Sequence, residues 1–161
     1  MLDELSEQVG ALLLARQLLL VTAESCTGGG VAAAITAVPG SSHWFDRGFV
    51  TYTNKSKEEM LGVAPATLKQ QGAVSEATVR EMVAGALARS DADVALAISG
   101  VAGPGGGSLD KPVGTVWIAW GEAGRTVRAK KFVFQGAREQ VRQQAVTQAL
   151  RGVVELLDGG A

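Results

Sequence analysis

Residues 18–38, LLLVTAESCTGGGVAAAITAV, restrict the fold more than any other stretch. A short apolar run, Leu18–Ala23, ends abruptly at polar residues and reads as a strand buried on both faces. Three glycines follow, and then a helix closed by Pro39-Gly40-Ser41-Ser42. A buried strand feeding a helix through a polar, glycine-rich turn is a unit of an α/β sheet. The chain has 161 residues, 47% apolar and 19% charged, enough for one domain, 1–161, with a sizeable core.

The rest of the chain extends this unit. Apolar residues at Leu5, Val9, Leu12 and Leu13 predict a helix over 4–17. Residues 44–53, WFDRGFVTYT, are aromatic and β-branched and predict a strand. Asn54 is placed to cap a short helix over 55–62, and Ser75 a longer one over 76–90. Residues 64–72 read as a turn or a short helix. Residues 93–99 form a second buried strand, which opens into a loop, 100–114, with five glycines between Gly100 and Gly107. Residues 115–120 and 125–134 predict an antiparallel hairpin, and 137–157 an amphipathic C-terminal helix. The expected architecture is a three-layer α/β/α sandwich around a mixed sheet of about five strands.

Composition narrows the function. Fifteen basic and sixteen acidic residues give a net charge of −1, which argues against a broad nucleic-acid footprint. One cysteine cannot form an internal disulfide, and one cysteine with one histidine makes no zinc cluster. No apolar stretch reaches the roughly 20 residues of a membrane span. The acidic start MLDELSEQVG is no secretory signal, so a soluble, cytoplasmic protein is expected.

Two polar segments, 24–30 and 99–114, leave the C-terminal ends of buried strands, where open α/β sheets bind ligands. Gly28-Gly29-Gly30-Val31-Ala32-Ala33 matches a dinucleotide fingerprint formally. However, four polar residues precede the first glycine, and Asp46 begins the second strand instead of ending it. The reading preferred is that the glycines let the helix pack closely while its first N–H groups attract an anion. The 100–107 loop is no Walker A motif, because Lys111 follows Asp110 and lacks a following Ser or Thr.

Ser25 and Cys26 are rival nucleophiles at the strand-to-helix turn, although Ser25 or Thr27 alternatively just caps the helix. The turn is not a G-x-S-x-G elbow, since Ala23 and Thr27 stand at the glycine positions. The lone histidine, His43, reads as an exposed loop residue. A lysine can act as base if its pKa is lowered. Lys55 and Lys57 both lie near the start of the helix after the second strand, where the positive helix end opposes a charged ammonium. Tyr52 lies close by. Residue types and spacing alone leave Ser25 against Cys26, and Lys55 against Lys57, open.

The blocks TAESCTGG, GFVTYTNKSK, GAVSE, SGVAGPGGGSLDKPVGTVWIA and REQVRQQA, in this order over nearly the whole chain, closely resemble the CinA C-terminal domain family. The resemblance implies hydrolysis of the carboxamide of nicotinamide mononucleotide to nicotinate mononucleotide and ammonia, without metal or cofactor. It implies Ser25 as nucleophile, Lys57 as base and Tyr52 as an accessory catalytic residue. Glu24, Cys26, Thr27, Gly28, Gly29, Gly100, Ala102 and Gly103 are then expected around the substrate, with Arg138 and Arg142 near its phosphate. N–H groups from Cys26 to Gly28 are the expected oxyanion donors. A homodimer is implied as well. One departure stands out: Gly136-Ala137-Arg138 replaces the family's frequent Gly-Asp-Arg. A nucleotide-binding module without catalysis is the alternative from another class.

Overall fold

The computed structural model describes residues 1–158. Its strands are β1 (Leu20–Glu24), β2 (Phe45–Val50), β3 (Val94–Gly100), β4 (Thr115–Glu122) and β5 (Arg128–Val133). Its helices are α1 (Leu2–Ala15), α2 (Gly30–Thr36), α3 (Asn54–Leu61), α4 (Pro65–Gln71), α5 (Glu76–Ala88) and α6 (Arg138–Asp158). The strands form one sheet in the order β2-β1-β3-β4-β5. β1 pairs in parallel with both β2 and β3, while β4 and β5 continue antiparallel. The mixed five-stranded sheet and its flanking helices agree with the architecture expected from the sequence.

Strand alternation sorts the core into two layers. Leu20, Leu96, Ile98, Ile118 and Trp120 pack with residues of α1, α2 and α6. Val21, Ala23, Ala95, Ala97 and Ala119 point the other way, into a cluster with Leu61 of α3, Leu68 of α4 and Val79, Met82 and Val83 of α5. β1 and β3 are buried on both faces, which is why they read as unbroken apolar runs. Trp120 satisfies its buried indole N–H on the Ala149 carbonyl of α6, 2.8 Å away.

The connections create a crevice. The chain leaves β1 through α2 on one face and returns from β2 to β3 through α3–α5 on the other. At the ends of β1 and β3 it therefore departs in opposite directions, the arrangement that opens a ligand crevice in an α/β sheet. The ladders run slightly past the strand ends: the Thr51 N–H donates to Glu24 O at 2.8 Å and the Ser25 N–H to Ile98 O at 3.0 Å. The turn after β1 is thus anchored to both neighbours.

Local details differ from the sequence expectations. β2 stops at Val50, three residues earlier than expected, because the chain must turn into α3. The cap of α3 is Thr53 rather than Asn54. Thr53 is extended, its side chain accepts from the Ser56 N–H, and the Ser56 hydroxyl accepts from the Thr53 N–H, a reciprocal capping box. Ser75 caps α5 as expected. Residues 65–71 resolve as a helix with proline in its first turn.

α3 sits close against α5 because residue 85 is glycine. A Cβ there would overlap the Leu61 carbonyl at the end of α3. Gly85→Ala is expected to cost about 1–3 kcal/mol through overpacking, against the small helix-propensity gain of alanine. Thermal unfolding followed by circular dichroism checks this; an unchanged or raised Tm would contradict the packing argument.

Candidate active site

The turn after β1 is held from below by an acid. Glu24 is 1% exposed, and its carboxylate accepts from Thr27 Oγ1 (2.6 Å), the Val31 N–H (2.9 Å) and the Ala32 N–H (3.1 Å). It fills the N-terminal end of α2 with negative charge, where a helix favours it. This corrects the expectation that those N–H groups wait for an external anion: the protein supplies its own. It also removes the capping role from Ser25, since the N-cap position is Gly29, without a side-chain cap. Gly28 and Gly29 have φ of 58° and 100°, left-handed values that favour glycine and let the chain turn into the helix.

Ser25 is thereby free to face Lys57. Lys57 projects from α3 and is 1% exposed, whereas Lys55 is exposed. Its Nζ lies 2.9 Å from Ser25 Oγ, 2.8 Å from the Thr51 carbonyl and 3.5 Å from the Tyr52 carbonyl. Among the described residues it forms no ion pair with a carboxylate. Burial therefore lowers its pKa from 10.5 to about 8, only partly opposed by the neighbouring Cys26. Desolvation, more than the helix end invoked from the sequence, is the cause.

Cys26 is placed very differently. It is 5% exposed and packs in the core layer with α1, α2 and α6. Burial pushes its thiol up to about 11, with Glu24 adding to the rise against the opposing influence of its own N–H, Lys57 and Arg142. A thiol with that pKa is almost wholly protonated at neutral pH and a poor nucleophile.

Two arginines of α6 reach the same region. Arg142 donates from Nε to the Cys26 carbonyl at 3.0 Å and from Nη2 to the Thr27 carbonyl at 3.3 Å. Arg138 donates from Nη1 to the Gly103 carbonyl at 2.8 Å and from Nη2 to the Tyr52 hydroxyl at 2.9 Å. The Tyr52 phenol, 58% exposed, is thus directed at Arg138, while its backbone carbonyl faces the lysine. Gly100 ends β3 beside this crevice, and Ala102 is buried in the core layer with Cys26. Of the expected oxyanion donors, the Gly28 N–H is already committed to Ser25 O at 3.0 Å. The N–H groups of Cys26 and Thr27 have no backbone acceptor among the described residues. Sequence reasoning missed the Thr51 carbonyl, a backbone group with no residue-type signal, and the capping role of Glu24. An acid ending a buried strand just before a helix was the available hint for the latter.

Residues 2–157 match the CinA C-terminal domain. The chain belongs to the CinA C-terminal domain family. Members of this CinA family with curated names include the nicotinamide-nucleotide amidohydrolase PncC of Escherichia coli K12, 55% identical over 150 residues, 93% of this chain and 91% of that one. The PncC of Pseudomonas putida is 56% identical over 85% of each chain. A CinA-like protein of Akkermansia muciniphila is 52% identical over 83% of this chain but only 32% of its own length. The crystal structure of a CinA superfamily protein from Klebsiella pneumoniae superposes with a TM-score of 0.95 at 43% identity, covering 99% of both chains. A competence/damage-inducible protein from Agrobacterium tumefaciens gives 0.94 at 44% identity over 96% and 94%.

The buried lysine generates a stability prediction. Its folded pKa of about 8 lies below the 10.5 of an exposed lysine. Between those values the unfolded chain holds the additional proton, so stability rises with pH across that window and the full penalty remains below it. Lys57→Met is expected to raise Tm at about pH 7, by about 2–8 °C for a chain of this size. The advantage over the native protein should shrink as pH approaches about 10. Scanning calorimetry of both proteins across pH tests this; a difference that stays constant or grows with pH would contradict it.

Proposed function

We propose that this protein is a nicotinamide-nucleotide amidase. It hydrolyses the carboxamide of nicotinamide mononucleotide through Ser25 and Lys57, acting in pyridine-nucleotide salvage in the cytoplasm. The observation that carries the reading is the 2.9 Å contact between Ser25 Oγ and a buried lysine that has no carboxylate partner among the described residues. The names of the PncC relatives support the substrate.

The chemistry follows from the donors. A neutral amine has two N–H groups and one lone pair. In the structure Lys57 Nζ donates to Ser25 Oγ, whose hydroxyl lies 3.5 Å from the Tyr52 carbonyl. Once Lys57 has lost a proton, its two N–H groups stay on the Thr51 and Tyr52 carbonyls and its lone pair can accept from the Ser25 hydroxyl. Lys57 takes the Ser25 proton as Oγ attacks the carboxamide carbon. The tetrahedral oxyanion is met by backbone N–H groups at Cys26 and Thr27. One such donor is worth about 3–4 kcal/mol in other acyl-transfer enzymes. Lys57 then gives its proton to the departing nitrogen, releasing ammonia and leaving an acyl ester on Ser25. Water attacks that ester, and Lys57 accepts the proton from the water and passes it to the departing Ser25 Oγ. The hydroxyl and the neutral amine are restored as nicotinate mononucleotide leaves.

Arg138, the Tyr52 hydroxyl beside it and the backbone of the 100–107 loop form the wall of the proposed nucleotide site, with Arg138 facing the phosphate. Residues 1–161 act as one domain. Met1, Leu2 and Leu14 leave apolar surface on and beside α1, which supports a homodimer; light scattering measures it.

Ammonia release from nicotinamide mononucleotide tests the reading. Ser25→Ala, shown to be folded by circular dichroism, is expected to lose about 10⁴-fold or more of kcat. Cys26→Ala should keep most of the activity, and a chelator should leave the rate unchanged. Normal turnover by folded Ser25→Ala would overturn the mechanism. Binding of the mononucleotide without any product would favour a silent nucleotide-binding module instead.

A second expectation concerns pH. The rate should climb as Lys57 loses its proton, with a midpoint near its pKa of about 8, and then level off. A profile flat from about pH 6 to about pH 9 would show that a base other than Lys57 sets the rate.

A further inference from the structure

We propose that Arg142 is a positioning residue for the oxyanion site: it holds the Cys26–Thr27 peptide so that the Thr27 N–H faces the reacting carbonyl oxygen. This rests on the acyl-transfer reading of Ser25. It replaces the sequence expectation that Arg142 takes the substrate phosphate.

Geometry carries the assignment. The only cis peptide among the described residues is Gly103–Pro104, so the Cys26–Thr27 bond is trans. Across a planar trans peptide the C=O and the N–H point in opposite directions. Arg142 Nε grips the Cys26 oxygen at 3.0 Å, which turns the Thr27 N–H away from α6. Arg142 Nη2 grips the Thr27 oxygen at 3.3 Å, which turns the Gly28 N–H inward, onto Ser25 O at 3.0 Å. The two contacts from one rigid guanidinium fork set two successive peptide planes, something a lysine ammonium cannot do with the same geometry.

The direction matters because of the layers. Arg142 comes from α6, which packs on one face of the sheet, and Lys57 comes from α3, which packs on the other. The Ser25–Gly28 turn lies between them. Away from Arg142 is therefore the side where Lys57 meets Ser25. The Thr27 N–H has no protein acceptor there among the described residues, whereas the N–H groups of Gly28 and Gly30 are taken by Ser25 O and Thr27 O. The Cys26 N–H likewise has no backbone acceptor among the described residues, but only the Thr27 N–H belongs to the peptide whose carbonyl Arg142 Nε grips. Glu24 fixes the Thr27 side chain from the α2 end at 2.6 Å, so rotation of this peptide is opposed from two sides.

The role separates cleanly from phosphate binding. Losing an oxyanion donor slows attack on any carbonyl, whereas losing a phosphate contact weakens only substrates that carry phosphate. The test compares native protein, Arg142→Ala and Arg142→Lys on nicotinamide mononucleotide and on nicotinamide riboside, which lacks the phosphate. Acylation of Ser25 by p-nitrophenyl acetate is measured alongside.

Expected for Arg142→Ala is a loss in kcat of about 10²-fold, with KM changed by less than about threefold. The loss should be equal for mononucleotide and riboside, and ester acylation should slow similarly. Added guanidinium ion should restore part of the rate of Arg142→Ala, and Arg142→Lys should fall in between. A loss confined to the mononucleotide and expressed as a raised KM would overturn the proposal in favour of a phosphate contact. Unchanged ester acylation would also overturn it. If Arg142→Ala does not fold, Arg142→Lys carries the same comparison. If the native protein releases no ammonia from either nucleoside, the amidase reading fails, yet the ester arm still decides the role of Arg142.

Discussion

A charged lysine inside a protein is expensive unless it is paired, and Lys57 is buried without a carboxylate against it among the described residues. Much else in the structure answers that constraint. The amine is held by carbonyls at the turn from β2 into α3 and by the Ser25 hydroxyl, with no carboxylate among the described residues to fix its charge. α3 must lie deep enough to bury it, which requires glycine at position 85 of α5 and the small alanines on that face of β1, β3 and β4. The protein accepts a stability penalty at neutral pH and holds an amine whose proton is loosely bound.

The turn that carries Ser25 depends on a second buried charge treated in the opposite way. Glu24 receives three hydrogen bonds and the positive end of α2. Lys57 is held by neutral oxygens without a counter-charge among the described residues, whereas Glu24, next to Ser25, is met by N–H and O–H donors and by the positive end of a helix. Burial raises the Cys26 thiol, and the same carboxylate adds a smaller push in that direction. Ser25 and Cys26 are adjacent in sequence, yet only the Ser25 side chain is within hydrogen-bond distance of Lys57 among the described residues.

Much of this was legible in the residues. The apolar runs 18–23 and 93–99 announced strands buried on both faces, and the polar, glycine-rich segments after them marked the crevice. Ser25 against Cys26 and Lys55 against Lys57 were not separable by composition or spacing, because burial in a turn and at a helix start depends on tertiary packing. Family resemblance favoured Ser25 and Lys57, and the structure puts those two within hydrogen-bond distance of each other. The start of α2 was misread as an open anion site. Polar satisfaction by Glu24 lies seven residues from its partner Val31, too far for a local capping rule. Thr53 replaced Asn54 as cap because both residue types cap well and only backbone conformation distinguishes them. The carbonyls that hold Lys57 carry no side-chain signature at all.

Ser25 and Lys57 lie 32 residues apart and reach each other from different connections of the sheet. In the unfolded chain the serine is an ordinary alcohol and the lysine an ordinary ammonium. Their 2.9 Å contact forms only when β1 and β2 have paired and α3 has docked against α5. The proposed reactive centre is thus created by tertiary assembly, and a nascent or partly unfolded chain carries only an ordinary serine and an ordinary lysine in its place.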